Sequence, residues 1–169
     1  GVRRLIGRRP GHEMIDAFQR THKVHRDVPI EFIGVWDTVD AVGMPFALAG
    51  FVNRFLYQFK FPTQTLGKSV KRACHALAID DARVAFEPVV WTGPDERIEQ
   101  VWFAGVHSNV GGGYPKQGMS LVALDWMLSH AAQCGLRLNP MDRELFKSHA
   151  SVDDLLYDSR GGLRVFYRW

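Results

Sequence analysis

Asp37 closes the apolar run at residues 30–36, and His107 follows the run at 99–106. A carboxylate beside an imidazole fixes its tautomer and stabilises its protonated form, which a histidine requires to act as general base toward a nucleophile. The order, acid before histidine, is that of α/β-hydrolases, in which the nucleophile comes earlier still. Each residue also has an ordinary structural reading: a strand-end Asp caps a turn, and a strand-end His satisfies a local hydrogen bond. Asp40, Asp80 and Asp81 are rival acids. Asp80 and Asp81 are read as following a helix rather than a strand, which favours Asp37.

Other groups that could do chemistry lack a pattern. His12, His22, His25 and His75 show no metal-ligand spacing, and His130 and His149 fall on helix surfaces. Cys74 and Cys134 lie far apart in sequence, outside any CxxC or Cys/His arrangement, and read as buried apolar fillers. Neither a metal nor a cofactor is expected. The run Gly111-Gly112-Gly113 after His107 permits positive φ and lets the backbone approach a substrate. It lacks the GxGxxG or Lys-Ser/Thr spacing of a phosphate loop, although a phosphoester enzyme using it stays open as a reading.

The elements that must position these residues follow from hydrophobic period. Met14, Ile15 and Phe18 share one face of a helix within residues 10–26. A strand at 30–36, apolar almost throughout, implies burial on both faces. Residues 45–59 form a broad apolar helix, read as core packing or as a lid beside an acyl chain. Residues 69–82, with Val70, Ala73, Cys74 and Leu77 at helical spacing, read as another helix leading to a strand at 84–91 and a turn at 92–97. A strand at 99–106 delivers His107 into a glycine-rich loop at 108–115. Ser120 then caps a helix that runs to Cys134 and stops at Gly135, and a short helix falls near 142–148. Strands alternating with helices give an α/β fold with a mainly parallel sheet, where functional groups gather at the carboxyl ends of strands.

With 169 residues, 46% hydrophobic, the sequence can bury one sizeable core and is read as one domain or a piece of one. Its 21 Lys and Arg against 18 Asp and Glu give a formal charge of +3. The excess gathers at Arg3, Arg4, Arg8 and Arg9, without the interleaved aromatics or docking motif of a nucleic-acid binder. A module that binds an anionic partner through these arginines is the alternative to an enzyme. No secretory signal opens the sequence, and no apolar stretch reaches the roughly twenty residues needed to span a bilayer. A first residue of Gly rather than Met fits a piece of a longer chain.

Three blocks carry a resemblance: Gly34-Val-Trp-Asp-Thr-Val39, His75-Ala-Leu-Ala-Ile-Asp80, and Val101-Trp-Phe-Ala-Gly-Val-His-Ser-Asn-Val-Gly-Gly-Gly-Tyr114. They resemble the DUF2235 family, which contains the catalytic domain of type VI secretion Tle1-like phospholipase effectors. The tail, Tyr157-Asp-Ser-Arg160 with Tyr167-Arg168, is similar as well.

The resemblance implies that residues 1–169 are the C-terminal portion of one α/β-hydrolase catalytic domain, with Asp37 as triad acid, His107 as triad base, and the nucleophilic Ser in a GxSxG elbow upstream. None of Ser69, Ser108, Ser120, Ser129, Ser148, Ser151 or Ser159 stands in such an elbow, so this sequence alone is expected to be inactive. It also implies a lipid or ester substrate, contact with a membrane surface, a secretion-apparatus or immunity partner, and synthesis in the cytoplasm followed by type VI export. Asn109 stands where the family often has Asp, which would alter a loop hydrogen bond without touching the triad.

Overall fold

A computed structural model describes residues 12–22, 24–25, 28–39, 64–83 and 86–159. The helix read at 45–59, the rival Asp40, the four N-terminal arginines and the last aromatic residues lie outside the described residues.

Three parallel strands, β1 (Ile33–Trp36), β2 (Ala73–Ala78) and β3 (Ile98–Phe103), form a sheet in the order β1-β2-β3. The register pairs Val35 with His75 and His75 with Gln100. Among the described residues four helices accompany it: α1 (His12–Thr21), α2 (His107–Gly111), α3 (Gly118–Gln133) and α4 (Pro140–His149). This is a partial α/β fold, as the alternation of periods implies. Among the described residues no helix is long and apolar enough to cross a membrane.

β2 overturns the helix read at 69–82. All six of its residues are buried, and an element buried on both faces shows neither helical nor strand period in its hydrophobicity. Ala73, Ala76 and Ala78 favour helix intrinsically, but tertiary burial overrides that preference. The small side chains of Ala76 and Ala78 suit a sheet face that a helix approaches closely. Cys74, Ala76 and Ala78 share a core with Val110, Ala123 and Met127, flanked by Phe32, Trp36, Phe103 and Trp126. Gly34 of β1 serves the same contact: a Cβ there would lie 2.6 Å from the Met127 sulfur.

β1 is shorter than expected and only half-buried. Ile30 makes an isolated bridge to Val70, so β2, rather than β1, is the strand enclosed on both sides.

The strand read at 84–91 is also absent among the described residues of that segment, where Pro88 makes a single bridge to Val39. Pro88 brings no N–H to a ladder. At Trp91 a side chain takes the ladder's place: its N–H donates to Gln100 Oε1 at 2.9 Å, and its carbonyl accepts from Gln100 Nε2 at 3.0 Å.

α3 starts two residues before the expected cap. Ser120 turns its hydroxyl back to the Gln117 carbonyl at 2.9 Å, and Asp154 from the tail accepts the Gly118 N–H at 2.7 Å. β3 ends at Phe103 rather than at Val106, and α4 starts at Pro140 rather than near 142, where Asn139 caps it by accepting the Met141 N–H; Gly135, at φ 97°, follows α3 as expected.

Candidate active site

β1 ends at Trp36, and the next residue, Asp37, is 1% exposed with φ of 39°. Its N–H donates to the Ala76 carbonyl at 2.7 Å. The carboxylate is committed at both oxygens: Oδ1 accepts the Ala78 N–H at 2.8 Å, and Oδ2 lies 2.7 Å from His107 Nδ1. An ionised carboxylate has nothing to donate, so Nδ1 is the donor of this contact, and in the neutral ring that leaves Nε2 as the acceptor. The His107 side chain remains 31% exposed. This is an oriented imidazole whose open nitrogen can accept a proton, backed by a buried acid. No hydroxyl among the described residues is hydrogen-bonded to His107.

His107 does not enter a loop, as the sequence reading has it; it opens the five-residue helix α2. The glycine run closes that helix, with Gly112 and Gly113 at φ 88° and 110°. The run therefore sits where carbonyls rather than N–H groups are unpaired, a poor cradle for phosphate.

Asp80 and Asp81 turn out to follow strand β2, so the argument that set them aside fails, although neither takes the place of Asp37. Both bind backbone beneath the histidine. Asp80 Oδ2 accepts the Gly105 N–H at 2.6 Å, and Asp81 Oδ2 accepts the His107 N–H at 3.0 Å. Burial pushes the Asp81 carboxyl up, but hydrogen bonds from Arg83 and from the His107 N–H outweigh it and hold the group below the usual carboxylate range. Arg83 grips Asp81 through Nε at 2.9 Å and Nη2 at 2.7 Å. Its guanidinium also lies 3.4 Å from the centre of the Phe86 ring, which meets the His107 ring edge-on at 5.1 Å. Asp81, Arg83 and Phe86 thus form one support for the base. Sequence reasoning misses it, because segment 84–91 reads there as a strand; Arg83 and the aromatic Phe86 three residues on are its signal.

Asn109, 2% exposed, ties the tail to α2. Its Nδ2 donates to the Leu155 carbonyl at 3.0 Å and its Oδ1 accepts the Tyr157 N–H at 3.3 Å. An Asp at this position could not donate to Leu155. An open pocket of about 280 Å³, which neither Asp37 nor His107 lines, is bounded by Trp36, Val110, Leu121 and Leu124, with polar contributions from Gln117 and Ser120.

Residues 7–130 match the family of type VI secretion system Tle1-like phospholipase effectors, catalytic domain. The chain belongs to this family. Membership in the Tle1-like effectors supports, at family level, a phospholipase-type hydrolase associated with secretion, and both Asp37 and His107 fall inside the matched stretch. No curated protein and no solved structure matches the chain.

Three other histidines of this Tle1-like chain have partners of their own. His22 packs on Phe18 and His149 bonds within α4. His75, set aside in the sequence, lies on β2 and is 1% exposed. At the opposite, amino end of the sheet, Cys74, Glu99 and His130 bring ligand atoms within 4.8 Å of one another, which their sequence separation conceals. Arg72 already pairs with Glu99 there, supplying the positive charge that a cation would bring. Burial pushes the Cys74 thiol up, which disfavours the thiolate. Cys134 is half-buried rather than a core filler.

Proposed function

We propose that the chain carries the acid and base of a serine hydrolase acting on carboxylic esters of lipids, with Asp37 and His107 in those roles. The observation that supports this most directly is the 2.7 Å contact between His107 Nδ1 and a 1% exposed Asp37 whose other oxygen is held by the Ala78 N–H. Burial removes water that would compete for the carboxylate, and the fixed orientation leaves His107 Nε2 open to a hydroxyl.

In the proposed reaction, a serine carried N-terminal to this sequence attacks the ester carbonyl. His107 Nε2 takes the Ser proton as the oxygen–carbon bond forms, then returns it to the departing alkoxide as the ester bond breaks. Water repeats the sequence on the acyl-enzyme, releasing the fatty acid and restoring the serine. Asp37 stays ionised, holding the tautomer and offsetting the imidazolium charge. The pocket lined by Trp36, Val110, Leu121 and Leu124 is apolar enough to suit an acyl chain.

The test is hydrolysis of a short-chain ester and of a phospholipid by a longer form of the protein that includes a GxSxG serine, beside its His107→Ala variant. Turnover should fall by several orders of magnitude, as it does when a triad member is removed. Residues 1–169 alone should be inert, because no acyl-enzyme can form. Retained turnover in His107→Ala would sink the assignment.

A further inference from the structure

His75 is a polar residue in the middle of the most buried strand, on the face of β2 opposite the Cys74, Ala76 and Ala78 core. A leucine would fill such a position without burying ring nitrogens, so the imidazole calls for a reason. One nitrogen has a defined task. The backbone N–H of Thr38 donates to His75 Nε2 at 3.1 Å, and because a peptide N–H can only donate, Nε2 must be the acceptor and the ring proton must sit on Nδ1. That Nδ1 is buried without a hydrogen-bond partner. Gln100, its neighbour in register, already uses both ends of its carboxamide on the Trp91 backbone. The Trp91 ring closes edge-on over the imidazole at 5.6 Å.

The peptide that His75 grips is the one directly after Asp37, and Asp37 is the one described non-glycine residue with positive φ, at 39°. That conformation is unfavourable for an aspartate and persists only when its surroundings hold it. On one side the Asp37 N–H is tied to the Ala76 carbonyl at 2.7 Å. On the other side His75 ties the Thr38 N–H, and Val89 donates to the Thr38 carbonyl at 2.7 Å. Between these anchors the carboxylate is aimed at Ala78 and His107.

We propose that neutral His75, as its Nδ1–H tautomer, is a positioning residue that holds the turn at Asp37 so that the carboxylate meets His107. Its importance for turnover rests on the hydrolase reading, but the geometry it controls is testable without substrate or nucleophile. Burial, which pushes the His75 pKa down, agrees with a ring that stays neutral, with smaller opposing influences from Gln100 and Asp37.

The experiment is nuclear magnetic resonance on residues 1–169. In the unaltered chain, the ring ¹⁵N shifts of His75 should show a protonated Nδ1 and a bare Nε2; the opposite tautomer cannot accept from Thr38 and overturns the proposal. The proton shared by His107 Nδ1 and Asp37 should give a downfield resonance, absent in Asp37→Asn. His75→Leu should lose that resonance or move it upfield while keeping its thermal midpoint above room temperature. His75→Gln, whose side-chain oxygen can stand near the Nε2 position, should restore it. A folded His75→Leu with the resonance unchanged overturns the proposal, since the ring would then be core filling alone. If His75→Leu does not fold, the tautomer and the His75→Gln resonance decide. Failure of the hydrolase reading would appear as turnover that ignores His107, and it would leave these resonances as they are.

Discussion

The two ends of the sheet hold similar residue types and do different things with them. At the carboxyl end His107 meets Asp37; at the amino end His130 faces Glu99 across 3.6 Å, with Cys74 and Arg72 nearby. Asp37 is 1% exposed and no arginine reaches it among the described contacts, so its one side-chain partner there is the histidine. Glu99 keeps 37% of its side chain in solvent and already belongs to Arg72. A carboxylate in water with a guanidinium attached has little left with which to orient an imidazole, because its field is screened and its oxygens are occupied. The difference teaches that proximity of histidine and acid is a weak sign of a site, whereas burial of the acid and the absence of a rival cation are stronger ones.

Substituting both acids by their amides tests that contrast most severely. In a longer, active form, Asp37→Asn preserves the shape but lets the amide bond the wrong His107 tautomer, so turnover should fall by roughly 10⁴-fold. Glu99→Gln should change it by less than about threefold, within the scatter of surface substitutions. Ester hydrolysis rates for the two variants, measured side by side, would erase the distinction if they were similar.

The support beneath His107 should have the next largest effect, on stability. The Asp81 and Arg83 side chains are 2% and 10% exposed. Removing one partner of such a pair strands the other charge, at a cost of roughly 3 kcal/mol. Asp81→Ala also frees the His107 N–H. Urea unfolding should show a clear fall in midpoint, and a shift as small as that of a surface substitution would mean that Asp81 is not anchoring the base.

How much of this was legible depends on what each residue touches. The pair Asp37 and His107 could be read, because both follow apolar runs that end at the same side of a parallel sheet. Helix α1 could be read from period, and α4 as a short helix near 142–148, whose cap at Asn139 only the structure reveals. Strand β2 could not, since burial on both faces leaves no alternation and its alanines favour helix. The same misreading displaced Asp80 and Asp81 onto a helix end. His75 looked idle because a hydrogen bond to a peptide 37 positions away has no local trace. The pairing of Trp91 with the Gln100 side chain is invisible for a similar reason: it replaces a strand ladder with a side chain from β3.

The pH responses of His75 and Asp81, which both hold backbone around the Asp37–His107 pair, should be smaller and differ in their windows. The His75 pKa lies below its ordinary 6.5 because burial penalises the charged ring. As pH falls through about 6.5 the unfolded chain takes up a proton at this position that the folded chain does not, so stability falls until the depressed folded value is passed. Asp81, also depressed, acts in a lower window: its contribution is present above about 3.8 and is lost as pH falls through its folded value. Urea midpoints should therefore be flat from pH 8 to 7 and decline below it, and the part of that decline owed to His75 should vanish in His75→Gln, which has no proton to take up. A decline of equal slope in His75→Gln would transfer the effect to another histidine.

The smallest effect should come from the exposed pair of Lys71 and Glu31, joined at 2.6 Å with side chains 60% and 55% exposed. Solvent screens such a contact, and the entropy lost in fixing two long side chains offsets what remains, so Lys71→Ala should shift stability by at most about 1 kcal/mol. Added salt should shrink even that difference, since exposed charges are screened within a Debye length. The Asp81 and Arg83 pair should hold its contribution in the same salt, because it is shielded from the ions. Equal salt sensitivity in the two pairs would mean that burial, the property that sets the carboxyl end of the sheet apart, is not what protects its charges.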